Sequence, residues 1–260
     1  MPLEAGASSV VVMIISLIII VLMITWGKIN PVFAMLVGAI GAGIAFGIPI
    51  DGVIPVVING FGTTIGNIGI VILLGCTIGV ILEQTGGALV LANTILKIVG
   101  PRNAALAMMF SGYLVSIPVF SDTAIVIMAT VARTVSARSG VALIACLGSL
   151  NAGIMATHTI VPPTPGPLAA AGTLGVDLGW MIALGLIVAL AYSIAAWIWC
   201  TSKICVGRFP NPDKVEGIEP LPAGKKLTAE DLMIKTEKPL PSTFWSFAAL
   251  LVPILLICAN

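Results

Sequence analysis

The chain is poor in charge. Its 12 basic and 11 acidic residues make 9% of 260, where a water-soluble domain carries roughly 25%. So few charges cannot keep a surface of this size wet, which excludes a soluble enzyme. The same composition excludes a nucleic-acid binder, while the net charge of +1 averages a membrane part and one aqueous loop and by itself says nothing about partners. Histidine occurs once, at His158, with no second His or paired Cys beside it, so no metal centre can be assembled there. The five cysteines, Cys76, Cys146, Cys200, Cys205 and Cys258, lie mostly in apolar runs without metal-ligand spacing. They read as small buried hydrophobes rather than as a disulfide framework. What is abundant is apolar: 58% of residues, with 28 glycines and a mean hydropathy of +1.15. That composition belongs to an all-α polytopic membrane protein whose standing partner is the lipid bilayer.

A helix that crosses a bilayer takes about 20 apolar residues. Runs at 9–26, 33–48, 65–82, 104–132, 178–200 and from 244 onward are candidates, together with a run at 141–157 that resumes after a break and reaches 175. The first run has no basic flank before it and no small-residue cleavage site after it, so it reads as a retained helix rather than a signal peptide. Residues 88–99 end in Lys97 and read as a connector along the cytoplasmic face. Glycines four apart inside the runs, Gly43/Gly47 and Gly75/Gly79, suit close packing of helix backbones. Of the 23 charges, 13 fall in 201–243 with six prolines, the composition of a solvated linker. The expected layout is a transmembrane unit over 1–200, a charged linker over 201–243 and the first helix of a further unit over 244–260.

The run 104–132 is too long for one upright span and too short for two, which need roughly 40 residues. Its middle is Ser-Ile-Pro-Val-Phe-Ser-Asp-Thr, from Ser116 to Thr123. A re-entrant hairpin with its tip at membrane depth fits, and the basic residues support it. With a hairpin here and the amino terminus outside, all 12 Lys and Arg face the cytoplasm, as the positive-inside rule asks. A single crossing would divide them between the two sides.

The second break follows at Thr157-His158-Thr159-Ile160-Val161-Pro162-Pro163-Thr164-Pro165-Gly166-Pro167. Proline lacks an N–H and clashes with the preceding turn, so the whole stretch is expected to be extended, with a half-helix restarting near Pro167. Irregular backbone survives at membrane depth only where protein or a watery cavity surrounds it. Half-helices that begin near the midplane aim unsatisfied N–H groups and a positive dipole end at one place, which attracts an anion.

The side chains at these breaks are the hydroxyls of Ser121, Thr123, Thr157, Thr159 and Thr164, the imidazole of His158 and the carboxylate of Asp122, with no Lys or Arg at that depth. Dipoles and hydroxyls without a fixed cation suit a small polyhydroxylated monoanion better than a phosphate. Asp122 is the one acidic residue expected deep in a span, where insertion costs about 2.5–3.5 kcal/mol. Its plainest role is to cap a helix N-terminus; its sharper role is proton uptake and release during transport. His158 is equally a structural group or a proton carrier on these grounds.

At both breaks the chain resembles the gluconate:proton symporter (gluconate permease) family of bacterial secondary transporters. Ile117-Pro118-Val119-Phe120-Ser121-Asp122-Thr123 is similar to that family's Pro-Val-Phe-Phe-Asp or Phe-Glu-Val hairpin. Thr157 to Pro167 resembles its Thr-His-Gly-Phe-x-Pro-Pro-His-Pro-Gly-Pro signature, the more specific match. Ser121-Asp122-Thr123 is also similar to the Ser-Asn-Thr hairpin tip of the wider ion-transporter superfamily. The resemblance implies a substrate site of Ser121, Asp122, Thr123, Thr157, His158, Thr159, Pro162, Pro163, Thr164 and Gly166, with Asp122 and His158 coupling protons. It implies import of gluconate or a related sugar acid across the bacterial inner membrane, no cofactor beyond the proton gradient, and dimers as a common assembly. It also implies a first of two inverted repeats, the start of a transporter of about twelve spanning elements. Thr159 stands where the family has glycine, Thr164 where it has histidine and Ser121 where it often has an aromatic. These departures leave open other hydroxy acids, D-serine, and sodium as the coupling ion. A remote alternative is an intramembrane hydrolase using Ser121 or Ser149 with His158, although the chain lacks a Gly-x-Ser-Gly nucleophile motif and adjacent Ser121 and Asp122 cannot flank the imidazole as a triad does.

Overall fold

A computed structural model describes residues 6–209, 228–233 and 239–258. All regular structure among them is helical, and the chain divides into two compact units, Met1–Asn67 and Ile68–Asn260.

In the first unit α1 (Ala7–Thr25) packs on α2 (Pro31–Ala45). None of the residues of α1 is buried although nearly all are apolar, which is how a lipid-facing helix reads. The turn between the helices is set by chemistry at Asn30, whose side-chain oxygen accepts the Val32 N–H at 3.0 Å. Pro31 follows at the first helical position, where its missing N–H costs nothing. Gly38 is buried against Ile20, and a Cβ there would overlap that side chain.

Helix α3 (Ile50–Gln84) starts in the first unit and ends in the second. It begins well before the expected 65–82 run because Gly52, Pro55, Asn59, Gly60 and Gly62 dilute its hydropathy without stopping it. Membrane helices carry Gly and Pro more often than soluble ones do.

The second unit continues with α4 (Gly87–Val99), α5 (Ala104–Val115), α6 (Ser121–Ser139), α7 (Leu143–Ile160), α8 (Pro165–Leu174), α9 (Leu178–Thr201), α10 (Lys203–Arg208), α11 (Ala229–Leu232) and α12 (Thr243–Cys258). Its core is the seam between α5 and α7. Gly112 and Gly153 face the opposite backbone there: a Cβ on Gly153 would stand 2.7 Å from the Tyr113 nitrogen, and one on Gly112 would stand 3.1 Å from the Ile154 nitrogen. Met108, Met128, Leu150 and Ile154 fill the space around this crossing and are fully buried. Helix α9 lies against α7 and α5, tied by the Tyr113 hydroxyl donating to the Leu186 carbonyl at 2.7 Å. Among the described residues three helical segments are long and apolar enough to cross a bilayer, namely Ala7–Thr25, Leu143–Leu174 across its break, and Leu178–Thr201; α3 counts as a fourth when taken as one span.

Two expectations change here. The segment expected as a connector is α4, a core helix that buries Leu91, Ala92, Ile95 and Leu96 against α5 and α12. It is too short to register as a span, yet protein covers one whole face. The charged stretch 201–243 is not solvated throughout. Within it α11 docks on α4 and α6, Leu232 is fully buried, and the Arg138 guanidinium donates to the Asp231 carbonyl. Cys146 is buried, whereas Cys76, Cys200 and Cys205 are only half-buried; the Cys258 side chain lies outside the described residues, as do 210–227 and 234–238 of the linker.

Candidate functional site

The expected hairpin is a helix, a five-residue tip and a second helix. α5 stops at Val115 and α6 starts at Ser121. Pro118 explains the stop, because a proline cannot donate into a helix and pushes the residue before it out of helical geometry. The tip is held by its own apolar residues: Ile117 and Val119 are buried, and the Ser116 hydroxyl donates to the Val119 carbonyl at 3.4 Å.

The second break is shorter than expected. α7 continues through Thr157, His158 and Thr159 to Ile160, and the chain leaves helical geometry only at Val161, at φ −107° and ψ 124°. The α8 helix restarts at Pro165 rather than near Pro167. Physically, the four prolines have two roles. Pro162 forces the residue before it to be extended, and with Pro163 it ends α7. Pro165 and Pro167 occupy the first turn of α8, where a missing N–H breaks no helical bond. The non-helical segment is therefore only Val161 to Thr164, and it turns at Pro162-Pro163 instead of running extended.

The tip and the break meet. The Phe120 ring packs edge-on to the His158 ring, with centroids 6.3 Å apart and planes at 66°. The Asp122 carboxylate is near enough to act electrostatically on His158. Both segments also rest on α3, Pro118 against Gly79 and Pro163 against Gly75. The glycine pair expected to serve helix packing instead seats the two helix breaks.

Each site residue then has a place. At the start of α6, Ser121 is buried, Asp122 is exposed and Thr123 is half-buried. Phe120 holds the N-cap position and no side chain caps the helix, so Asp122 does not act as the cap. It sits in the first turn, where a carboxylate is favoured by the helix dipole. The amides of Ser121, Asp122 and Thr123 and the hydroxyls of Ser121 and Thr123 make no hydrogen bond among the described residues. In contrast, the threonine hydroxyls of the second break donate to their own backbone: Thr157 to Gly153 and Ile154 at 3.2 and 3.3 Å, Thr159 to Met155 at 2.7 Å, Thr164 to Val161 at 2.7 Å. Pro162 is buried and Pro163 half-buried, and Gly166 is exposed with open space where a side chain would be.

Proline chemistry makes the two helix starts unequal. Neither Pro165 nor Pro167 has an N–H, so Gly166 is the one free first-turn donor of α8 against three on α6. His158 is half-buried with its Nδ1 lacking a partner. A cavity of about 400 Å³ lies beside the tips, lined by Leu74, Ile78, Pro118, Pro163 and Ile254 among others. Its walls are apolar, and its one hydroxyl, on Thr77, already donates to the Leu73 carbonyl at 2.8 Å. Such a cavity holds nothing for an anion, whereas the α6 and α8 starts do. Sequence reasoning passed over Phe120, Gly75 and Gly79; Phe120 sits inside the quoted tip motif, and the glycines carried a spacing signal without a partner.

Apolar helices interrupted at two meeting breaks define a polytopic membrane protein with its polar groups gathered at helix ends. The profile of the GntP family permeases matches residues 8–260, and the chain belongs to that family, which consists of transporters rather than enzymes. It is 34% identical to an uncharacterized permease of Haemophilus influenzae over 94% of its own length and 49% of that protein. It is 35% identical to a gluconate permease of Pseudomonas aeruginosa over 68% of its length and 39% of that protein, and 30% identical to a gluconate permease of Zymomonas mobilis over 93% and 51%. The chain thus spans about half the length of the relatives it matches. No solved structure matches it.

Proposed function

We propose that this chain supplies a substrate-binding half of a secondary transporter that imports gluconate, or a related sugar-acid monoanion, together with a proton. The observation that carries the reading is that two uncapped helix starts, α6 and α8, each follow a break seated on α3, with unpaired amides on both, unpaired hydroxyls on α6 and no fixed cation among the site residues named. An anion there is held by dipoles and neutral donors, and its hydroxyls find the Ser121 and Thr123 side chains. Asp122, in the first turn of α6, repels a bound anion while ionised and ceases to when protonated. That difference is the coupling: a proton on Asp122 makes room for the anion, and His158 is the second group able to carry one. No cofactor is required. The charge distribution supports an inner-membrane placement with the amino terminus outside and 201–243 in the cytoplasm, and a homodimer is the proposed assembly.

The test is uptake of labelled gluconate by proteoliposomes holding the transporter that contains this chain. Two like charges about 6 Å apart repel by about 1–3 kcal/mol between the dielectric limits of water and a protein site, roughly 5- to 100-fold in affinity. Uptake should therefore strengthen as the outside pH falls, and Asp122→Asn should bind gluconate without pH dependence and lose acceleration by a proton gradient. Proton-driven uptake that survives Asp122→Asn unchanged would remove Asp122 from coupling. Uptake that follows sodium instead of protons would replace the coupling ion.

A further inference from the structure

We propose that Gly75 and Gly79 of α3 are positioning residues that set the distance between the two anion-binding helix starts, and with it the fit of the substrate. The inference rests on the anion site proposed above.

The geometry is specific to these two glycines. One helical turn separates them, so they occupy one face of α3, and both are buried while Leu73, Leu74, Thr77 and Val80 around them are exposed. Each touches the bend of a different break. A Cβ on Gly79 would overlap the Pro118 carbonyl oxygen and stand 3.1 Å from its carbon and 3.4 Å from the Val119 Cα. A Cβ on Gly75 would stand 2.9 and 3.0 Å from the Pro163 Cβ and Cγ. Pro118 lies three residues before the first free amide of α6, and Pro163 lies three before the free amide of Gly166. Moving either proline therefore moves a set of donors.

The neighbours cannot give way by rotating a side chain. At Gly79 the obstacle is backbone, and at Gly75 it is a closed ring. Carbon atoms sit best at about 3.5–4.0 Å, so the tip must retreat from an alanine at 79 by about half an ångström on the carbon contact alone, and further on the oxygen. At Gly66, also on α3, the same substitution meets nothing, since no atom lies within 4 Å of its Cβ position. Helix α3 is thus smooth where the tips touch it.

The experiment compares Gly79→Ala, Gly75→Ala and Gly66→Ala in the transporter that contains this chain. Kinetics of labelled gluconate uptake are read together with a spin-label distance between Val126→Cys on α6 and Leu174→Cys on α8 in a cysteine-free background. Both label sites are exposed and outside the anion site. Losing one well-placed hydrogen bond to a charged ligand is worth roughly tenfold or more in affinity. We expect KM to rise at least about tenfold for Gly79→Ala and less for Gly75→Ala, and the label distance to shift in both, with Gly66→Ala unchanged in both readouts. A purely structural role would lower the amount of folded transporter and leave KM and the distance alone. Wild-type KM and distance in folded Gly79→Ala, or in Gly75→Ala should the former not fold, overturn the proposal. If the wild-type transporter takes up no gluconate, the substrate reading fails, and the label distance still decides whether the glycines set the spacing.

Discussion

Substituting alanine at Gly153 tests the seam on which both breaks depend. Alanine is ordinarily the better helix former, worth about 0.8–1.0 kcal/mol over glycine in a helix interior. At Gly153 that gain is opposed. The added methyl would overlap the Met109 carbonyl oxygen and stand 2.7 Å from the Tyr113 nitrogen and 3.2 Å from the Gly112 carbonyl carbon. These are all backbone atoms of α5, so no rotamer change relieves them and the helix has to retreat as a body. Overpacking of this kind costs about 1–3 kcal/mol. The retreat also lengthens the Tyr113 hydroxyl bond to Leu186, now 2.7 Å, and a hydrogen bond of this sort contributes about 0.5–1.5 kcal/mol. Setting the propensity gain against these terms leaves Gly153→Ala destabilised by about 0.5–3.5 kcal/mol.

Gly60→Ala makes the opposite prediction from the same chemistry. Nothing lies within 4 Å of its Cβ position on α3, so the substitution should be neutral or stabilise by up to about 1 kcal/mol. Cys146, buried on α7 beside the seam, supplies the readout. With Cys146 as the sole cysteine, the temperature at which a fluorogenic maleimide labels it reports opening of this part of the fold. Gly153→Ala should lower that temperature and Gly60→Ala should not. Equal or greater protection in Gly153→Ala would refute the close α5–α7 crossing, and with it the account of how the hairpin is held.

Three further outcomes follow from single groups. Gly166→Pro removes the one free first-turn amide of α8 and should weaken anion binding by roughly tenfold or more, whereas Gly166→Ala keeps the amide, meets no neighbour and should bind normally; ligand-induced thermal stabilisation measures both. Ser149→Ala deletes a fully buried hydroxyl whose oxygen has no partner, so labelling of Cys146 on heating should be unchanged or shift upward, by about 1 kcal/mol at most. Tyr113→Phe loses its interhelical bond to Leu186 and should lower stability by about 0.6–1.5 kcal/mol in the same assay, with uptake kinetics otherwise retained.

The parts of this fold that were legible in the sequence are those where local chemistry decides. Prolines clustered with polar residues inside an apolar run mark interrupted helices where a lone Pro55 or Pro253 does not, so both breaks were visible, and since Asp122 and His158 each stood at a break, their meeting was an available inference. The second break is shorter than the sequence suggests because the helix-starting role of proline, expected near Pro167, already falls on Pro165. The effect of proline depends on position: it ends a helix at Pro162 and begins one at Pro165. α4 and α11 were misread for a different reason. A 13-residue apolar helix and a four-residue charged one carry no span signal, and only tertiary packing decides that each is covered.

The glycines show most clearly what a local reading leaves out. Gly75/Gly79 and the pair Gly112 and Gly153 all permit close approach, and in each case what approaches is backbone or proline ring rather than a flexible side chain. Composition reports that small residues are present, and spacing reports that they share a face. Neither says whether the neighbour is another helix or a helix break. In a membrane this distinction has functional weight, because helix breaks carry the unpaired amides that hold an anion. A glycine that seats a break controls where those donors stand, while a glycine that seats a helix controls only how tightly the bundle closes. Gly153 is of the second kind and should register mainly in stability, whereas Gly79 is of the first and should register mainly in substrate affinity. Substituting the same residue type at these two positions therefore separates the site from the scaffold.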